Sequence, residues 1–237
     1  MRRLQQVRRG EDANNLPRRL VTAVEPSSPA SEAYRTIRTN LLYSLVDSPP
    51  RVILLTSAGP GEGKSTTCAN LGVVLAQAGL STLLMDCDFR KPVLHKYFEL
   101  RNFRGVTDVL AGQCSLEEAQ HEIQPGLKVL LVGSIPPNPA ELLGSRRFGE
   151  LLDEVRQEFD YVLIDASPVG AVTDPAILGS QVDGVLLVLD AQSTRKGAFR
   201  QAQRSMEGVG ANLLGIVMNN VKSSRDGYYR YDYTYGQ

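Results

Sequence analysis

An apolar run, Val52–Ser57, passes directly into Ala58-Gly59-Pro60-Gly61-Glu62-Gly63-Lys64-Ser65-Thr66 and then into a helical pattern that Gly79 ends. A strand, a glycine-rich turn and a helix in immediate succession are the setting of a phosphate-binding loop in parallel α/β sheets. The segment fits the pattern GxxxxGK[ST], with Ala58 where the first glycine usually stands. Gly59, Gly61 and Gly63 let the backbone turn tightly enough for its N–H groups to converge on phosphate oxygens. The helix that follows aims the positive end of its dipole at the same charge. Lys64 adds a point charge for the β- and γ-phosphates, and the Ser65 hydroxyl is placed to ligate Mg²⁺. The spacing predicts an ATP site built from residues 59–66, Pro60, Glu62 and Thr66 included.

The rest of the chain repeats the alternation. Strands are expected at Ser81–Asp86, Leu127–Val132, Asp160–Asp165, Val182–Asp190 and Leu213–Asn219. Helices are expected at Ser65–Ala78 and near 145–158, 173–180 and 194–208, after an opening helix Glu32–Leu45 with Ala33, Ile37, Leu41 and Leu45 at i, i+4 spacing. The strands are near-continuous apolar runs, as expected when both faces of a sheet are covered. The fold class is therefore α/β, a mostly parallel sheet with helices on both faces.

Two further strands end in acids. Leu83-Leu84-Met85-Asp86-Cys87-Asp88 carries two carboxylates past its end, and Tyr161-Val162-Leu163-Ile164-Asp165 carries one, followed by Ala-Ser-Pro168. In open α/β sheets ligands bind at the carboxyl ends of strands, so these acids should gather at the loop. There they can hold Mg²⁺ or take a proton from an attacking hydroxyl. Strand-terminal Asp residues also cap turns, the plainer role open to each of them. Asn219, closing the last strand, either forms a turn or reads an adenine edge.

Composition excludes more than it identifies. Lys+Arg and Asp+Glu both number 26, so no net field draws the chain to nucleic acid. Six arginines (2, 3, 8, 9, 18 and 19) crowd the first twenty residues, and residues 1–30 read as a basic, then Pro- and Ser-rich arm. Cys68, Cys87 and Cys114 have no CxxC spacing, which signals neither a disulfide framework nor a metal site, and a reducing cytoplasm fits. No apolar run reaches the roughly 18 residues that span a bilayer. The last ten residues hold Tyr228, Tyr229, Tyr231, Tyr233 and Tyr235, five of the nine tyrosines in the chain.

Together these segments resemble the bacterial protein-tyrosine kinases of capsule and exopolysaccharide synthesis, from about Pro26 to Gln237. The carriers are Ala58–Thr66, Leu83–Asp88 continuing into Phe89-Arg90-Lys91-Pro92, Val162–Pro168, Pro136–Leu143, Glu32-Ala-Tyr-Arg35-Thr-Ile-Arg38 and the tyrosine cluster. The resemblance implies a P-loop NTPase architecture like that of the deviant Walker, partition-type ATPases. It implies that Lys64 and Ser65 handle phosphate and Mg²⁺, that Asp88 and Asp165 support the metal, and that Asp86 orients or deprotonates a tyrosine, with Asp86 and Asp88 exchangeable. The absence of HRD, DFG and VAIK signatures suits this family.

It also implies a ring of copies joined through Glu32, Arg35 and Arg38, in which the tail (221–237) of one subunit is phosphorylated by the kinase domain (31–220, its assembly helix at 31–45) of the next. Seventeen residues extend to about 60 Å, enough to reach a neighbour. The partners expected are a membrane polysaccharide co-polymerase that activates the kinase and recruits it to the inner face of the membrane, and a tyrosine phosphatase. A chain opening at Met1 with a short basic arm looks like the stand-alone cytoplasmic arrangement or an excised domain. The competing reading is a partition- or assembly-type switch ATPase without kinase activity. Its signature lysine, five residues before Lys64, is replaced here by Gly59.

Overall fold

The computed structural model describes residues 20–43 and 49–222. The arginines of the basic arm, Leu45 at the expected end of the first long helix, and Tyr228, Tyr229, Tyr231, Tyr233 and Tyr235 lie outside the described residues. Two helices, α1 (Val21–Val24) and α2 (Pro29–Tyr43), precede β1 (Val52–Ser57), α3 (Lys64–Gln77) and β2 (Thr82–Asp86). Three short helices follow: α4 (Leu94–Tyr97), α5 (Val106–Leu110) and α6 (Leu116–Ala119). Then come β3 (Gln120–Gln124), β4 (Leu127–Leu130), α7 (Pro139–Leu143), α8 (Arg146–Glu158), β5 (Tyr161–Asp165), α9 (Asp174–Gly179), β6 (Gly184–Asp190), α10 (Lys196–Glu207) and β7 (Leu213–Asn219).

The strands form one sheet in the order β3-β4-β2-β5-β1-β6-β7. Every neighbouring pair is parallel except β3 with β4. Successive residues of β1 alternate between two cores: Val52 and Leu54 face α8, α9 and α10, while Ile53 and Leu55 face α2 and α3. Both faces are covered, which explains why the central strands read as unbroken apolar runs. Gly72 lets α3 lie close on the sheet; a Cβ there would fall 2.5 Å from Leu84 Cδ2. The parallel register places Asp86 directly beside Asp165, and Asp165 beside Leu55 of β1. Three strand ends therefore deliver the loop and the acids to one edge of the core.

Two expectations change. Residues 20–30 are not an irregular lead-in: Leu20 and Thr22 are fully buried, and Asn70 Oδ1 of α3 accepts from Thr22 N at 3.1 Å and Thr22 Oγ1 at 2.9 Å. The first long helix starts earlier than Glu32, because Ser28 caps it by accepting from Ser31 N at 3.2 Å and Pro29 supplies the pre-set first turn. Ser31 instead turns inward and donates to Glu25 O at 2.7 Å. The polar edge strand β3 and the short helices α4 to α7 have no counterpart in the sequence pattern, since four or five residues are too few to display a period.

A candidate nucleotide and phosphoryl-transfer site

The glycine loop is held from below before any ligand enters. Glu62 turns back so that its Oε2 accepts from Gly59 N at 2.9 Å, while its Oε1 accepts from Thr194 Oγ1 at 2.5 Å. Ser57 Oγ donates to Gly59 O at 2.8 Å. Gly63 has φ +92° as the N-cap of α3, and no side chain occupies that cap. A Cβ on Gly63 would stand 2.2 Å from Asn219 Nδ2, so only glycine meets both demands. The first amide groups of α3 remain free for an anion, as a phosphate site requires.

Lys64 emerges from this turn between two acids. Its Nζ donates to Asp88 Oδ2 at 3.0 Å, Asp165 Oδ1 at 3.2 Å and Ser65 Oγ at 3.2 Å. Burial by itself would lower the lysine, but the Asp165 and Asp88 carboxylates outweigh it and hold the ammonium above its ordinary value. Burial likewise works to raise Asp88, yet Lys64 and the hydrogen bonds from Ser167 and Lys91 N hold it below the usual carboxylate range. Asp86 goes the other way. Burial, then the facing Asp165, push it up to about 8 against the amides of Leu94 and Asp88. Burial also raises Asp165, partly offset by Lys64.

A cavity of about 490 Å³ opens over these groups, walled on one side by the loop and on the other by Asp88, Lys91, Val93, Lys96 and Tyr97. The loop, Lys64, Ser65 and Asp88 are thus brought together as expected, with Thr66 on the same wall and its Oγ1 2.6 Å from Tyr97 Oη. Asp86 sits differently from the place its expected role suggests. It is fully buried and off the cavity wall, with Oδ1 accepting from Asp88 N at 3.1 Å and Oδ2 from Leu94 N at 3.2 Å. Asn219 lies under the loop, its Nδ2 donating to Glu62 O at 3.0 Å and Thr67 Oγ1 at 3.3 Å.

The residues present suit Mg²⁺. Asp165 Oδ2 is buried without a hydrogen-bond partner, an acceptor waiting for a donor or cation, with Lys64 bridging its other oxygen to Ser65. Among the described residues no cluster of three or more His, Cys, Asp or Glu forms a ready cage. Mg²⁺ keeps waters and phosphates and takes only one or two carboxylates from protein, and Asp88 and Asp165 stand beside Ser65 through Lys64.

Glu32, Arg35 and Arg38, expected to join copies, are absent from the lining of the cavity. Arg35 NH1 pairs with Glu32 Oε2 at 2.7 Å on its own helix, and Arg35 NH2 donates to Pro26 O at 2.7 Å. Arg38 NH1 donates to Val74 O at 2.9 Å, against α3. Sequence reasoning missed Ser167, Lys91, Lys96 and Tyr97 at the site. It also missed Arg90, which grips the buried Asp174 through Nε at 2.8 Å and NH2 at 3.1 Å and so ties the Asp88 loop to α9. The nearness of Ser167 to Asp165, and of Lys91 to Asp88 three residues before it, was a visible signal; Tyr97 and Arg90 depend on pairings across 31 and 84 residues.

Comparison with known proteins agrees with this geometry. The CobQ/CobB/MinD/ParA nucleotide binding domain family matches residues 53–232. Tyrosine-protein kinase YwqD of Bacillus subtilis is 44% identical over 219 residues, 92% of each chain. EpsB of Ralstonia nicotianae is 39% identical across 88% of this chain, which spans only 27% of that longer relative. Among solved structures, the chimerical protein CapA2B2 superposes with a TM-score of 0.83 at 37% identity, covering 86% of this chain and 91% of that one. The kinase domain of Escherichia coli tyrosine kinase ETK superposes with a TM-score of 0.81 at 29% identity, covering 96% and 89%. Among the described residues no helix is long and apolar enough to cross a membrane.

Proposed function

Because this chain belongs to the bacterial tyrosine-protein kinases built on the CobQ/CobB/MinD/ParA nucleotide binding domain, we propose that it phosphorylates the tail tyrosines of a neighbouring copy from ATP. The acceptors are Tyr228, Tyr229, Tyr231, Tyr233 and Tyr235. The observation that carries this reading is Lys64 suspended between Asp88 and Asp165 over a pre-braced glycine loop.

The loop amides and Lys64 take the β- and γ-phosphates, and Ser65, Asp88 and Asp165 hold Mg²⁺, which when bound supplies charge to the phosphates. Entry of a phosphate draws Lys64 off its carboxylates, because one cation cannot serve both sets of oxygens at full strength. The tyrosine oxygen then forms a bond to the γ-phosphorus as the bond to the β,γ-bridging oxygen breaks and ADP departs. Phosphoryl transfer of this loose kind needs positioning and charge more than a strong base. Asp86 receives the tyrosine proton in its ionised form, whose share grows as pH rises toward and past about 8. It lies behind Asp88, so a hydroxyl reaches it only when the Leu94 amide gives way. Asp86→Asn should lower kcat with little change in KM for ATP. If Asp88→Asn alone has that signature, the two acids have exchanged roles.

Glu32, Arg35 and Arg38 join copies into a ring by exchanging their present in-chain partners for those of a neighbour. Within the cell the kinase acts in polysaccharide polymerisation and export, recruited to the membrane by a co-polymerase activator and reset by a tyrosine phosphatase. Each phosphate adds about −1.5 to −2 charges to the tail, so a fully modified tail should loosen the ring. Equal oligomer mass before and after modification contradicts that.

The deciding experiment incubates the protein with Mg·ATP and reads intact mass and phosphopeptides, beside Lys64→Ala and a chain ending at Asp226. Phosphate on Tyr228–Tyr235 that is lost in Lys64→Ala is the expected outcome. ATP hydrolysis without phosphotyrosine, with candidate membrane partners present, transfers the reading to a switch ATPase.

A further inference from the structure

Asp88 is the acid on the cavity wall, and its two oxygens live in different company. Oδ2 faces Lys64 at 3.0 Å. Oδ1 accepts from Ser167 Oγ at 2.6 Å and from Lys91 N at 3.1 Å. The first of these lies in the range of charge-assisted O–H···O⁻ bonds. Ser167 is itself nearly inaccessible, 2% exposed, and its carbonyl accepts from the buried Thr56 Oγ1 at 2.8 Å. A short line of contacts therefore runs from the end of β1, through the loop after β5, to the acid after β2. It joins the three strands that carry the site.

A carboxylate on an aspartate has one stiff bond to the backbone side and one broad torsion at its tip. With Ser167 and Lys91 N both on Oδ1, that tip cannot rotate without abandoning two donors. Without the Ser167 hydroxyl, Oδ1 keeps only the longer Lys91 contact, and once a phosphate draws Lys64 away the carboxylate is free to turn Oδ2 out of the cavity. A buried hydroxyl aimed at a ligating carboxylate is the arrangement that fixes metal ligands from outside the ligand set.

We infer that Ser167 is a positioning residue that locks the Asp88 carboxylate with Oδ2 toward the cavity, so that Mg²⁺–nucleotide meets a pre-set ligand. This rests on the nucleotide-site part of the function proposed above and needs neither the tail nor the ring. Ser167 touches neither nucleotide nor metal. Its effect passes through Asp88 alone.

The test uses binding rather than turnover. A fluorescent N-methylanthraniloyl-ADP is titrated onto the full chain with Mg²⁺ and again with EDTA. Ser167→Ala should reduce the affinity in Mg²⁺ by about 10-fold, the lower end for loss of such a partner, and leave the affinity in EDTA unchanged. In an Asp88→Asn background the same substitution should add nothing, because its target is gone. A buried serine that merely satisfies packing would instead lower both affinities, or lower them equally in either background, and that result overturns the inference. Thr56→Val, which frees the Ser167 carbonyl while leaving its hydroxyl, guards against a folding defect in Ser167→Ala. It should show a smaller loss confined to Mg²⁺, and no Mg²⁺-specific loss in either variant also overturns the inference. Equal affinity in Mg²⁺ and EDTA for the unaltered chain overturns the inference, no binding in either removes the nucleotide reading beneath it as well, and failure of autophosphorylation leaves the inference standing.

Discussion

Two groups of charged side chains contrast: those at the carboxyl ends of β1, β2 and β5, and those on α2. At the strand ends the partners come from far along the chain, are buried, and hold one another against the cost of burial. Lys64 reaches Asp88 24 residues on and Asp165 101 residues on. On α2, Glu32 and Arg35 are three residues apart, and the Glu32 side chain is 68% exposed. The first group is a finished device within one chain. The second is an exposed pair on one helix, and pairs of that kind contribute only about 0–1 kcal/mol, although Arg38 on the same helix reaches Val74 O of α3. Buried long-range contacts hold a site ready before its ligand arrives, whereas the proposed ring would have the α2 pair give up a cheap local partner.

The sharpest way to break this contrast is at Lys64. Lys64→Ala leaves Asp88 and Asp165 facing each other without their cation and removes the charge that meets phosphate. Phosphotyrosine formation should fall by about 10³-fold, the upper range for losing one pre-placed electrostatic group. A time course of tail phosphorylation reads it, and retention of a tenth of the rate removes Lys64 from the centre of the account.

Next in size is Gly63→Ala. It forces a side chain into a left-handed turn and against Asn219 Nδ2. Strain of this kind costs about 1–3 kcal/mol, so ATP affinity by calorimetry should drop about 10- to 100-fold. Adding Asn219→Ala should return part of the loss, and no return at all means the crowding seen here is not what matters.

A smaller effect is expected at the seam between the two regions, where Thr22 holds the segment before α2 to Asn70 of α3. Thr22→Val removes one of its two hydrogen bonds to Asn70 and should lower unfolding free energy by about 1 kcal/mol, with nucleotide affinity intact. A denaturant midpoint equal to that of the parent chain places the seam among contacts of no consequence.

Glu32→Ala should be the mildest for the folded chain, within about 0.5 kcal/mol, while lowering oligomer mass by light scattering. If stability falls by several times that amount, the α2 charges are structural and the contrast drawn above is wrong.

How much of this could be read beforehand follows the same division. The loop, the helix after it and β1, β2, β5, β6 and β7 were legible because each is a local pattern of glycine placement and continuous apolar residues. The two acids of Asp86-Cys-Asp88 were legible as a pair but not as individuals. They lie two residues apart, Asp86 closing β2 and Asp88 just beyond it, yet one turns inward to bind the amides of Asp88 and Leu94 and the other outward to meet Lys64. No period or propensity distinguishes them. Ser167 was quoted as part of a motif without a role, since its partner stands 79 residues earlier. Thr22 lay in a stretch whose prolines and serines read as a lead-in, and only its 48-residue reach to Asn70 orders it.

The sequence by itself determined that a parallel α/β sheet would present a phosphate loop, a lysine and three carboxylates at neighbouring strand ends, because backbone turns, strand runs and helix starts are written within a few residues. The tertiary structure alone decided which carboxylate faces the cavity, which is spent on the backbone, and which hydroxyl fixes the ligand, because hydrogen-bond geometry and burial are set by residues that only folding makes adjacent.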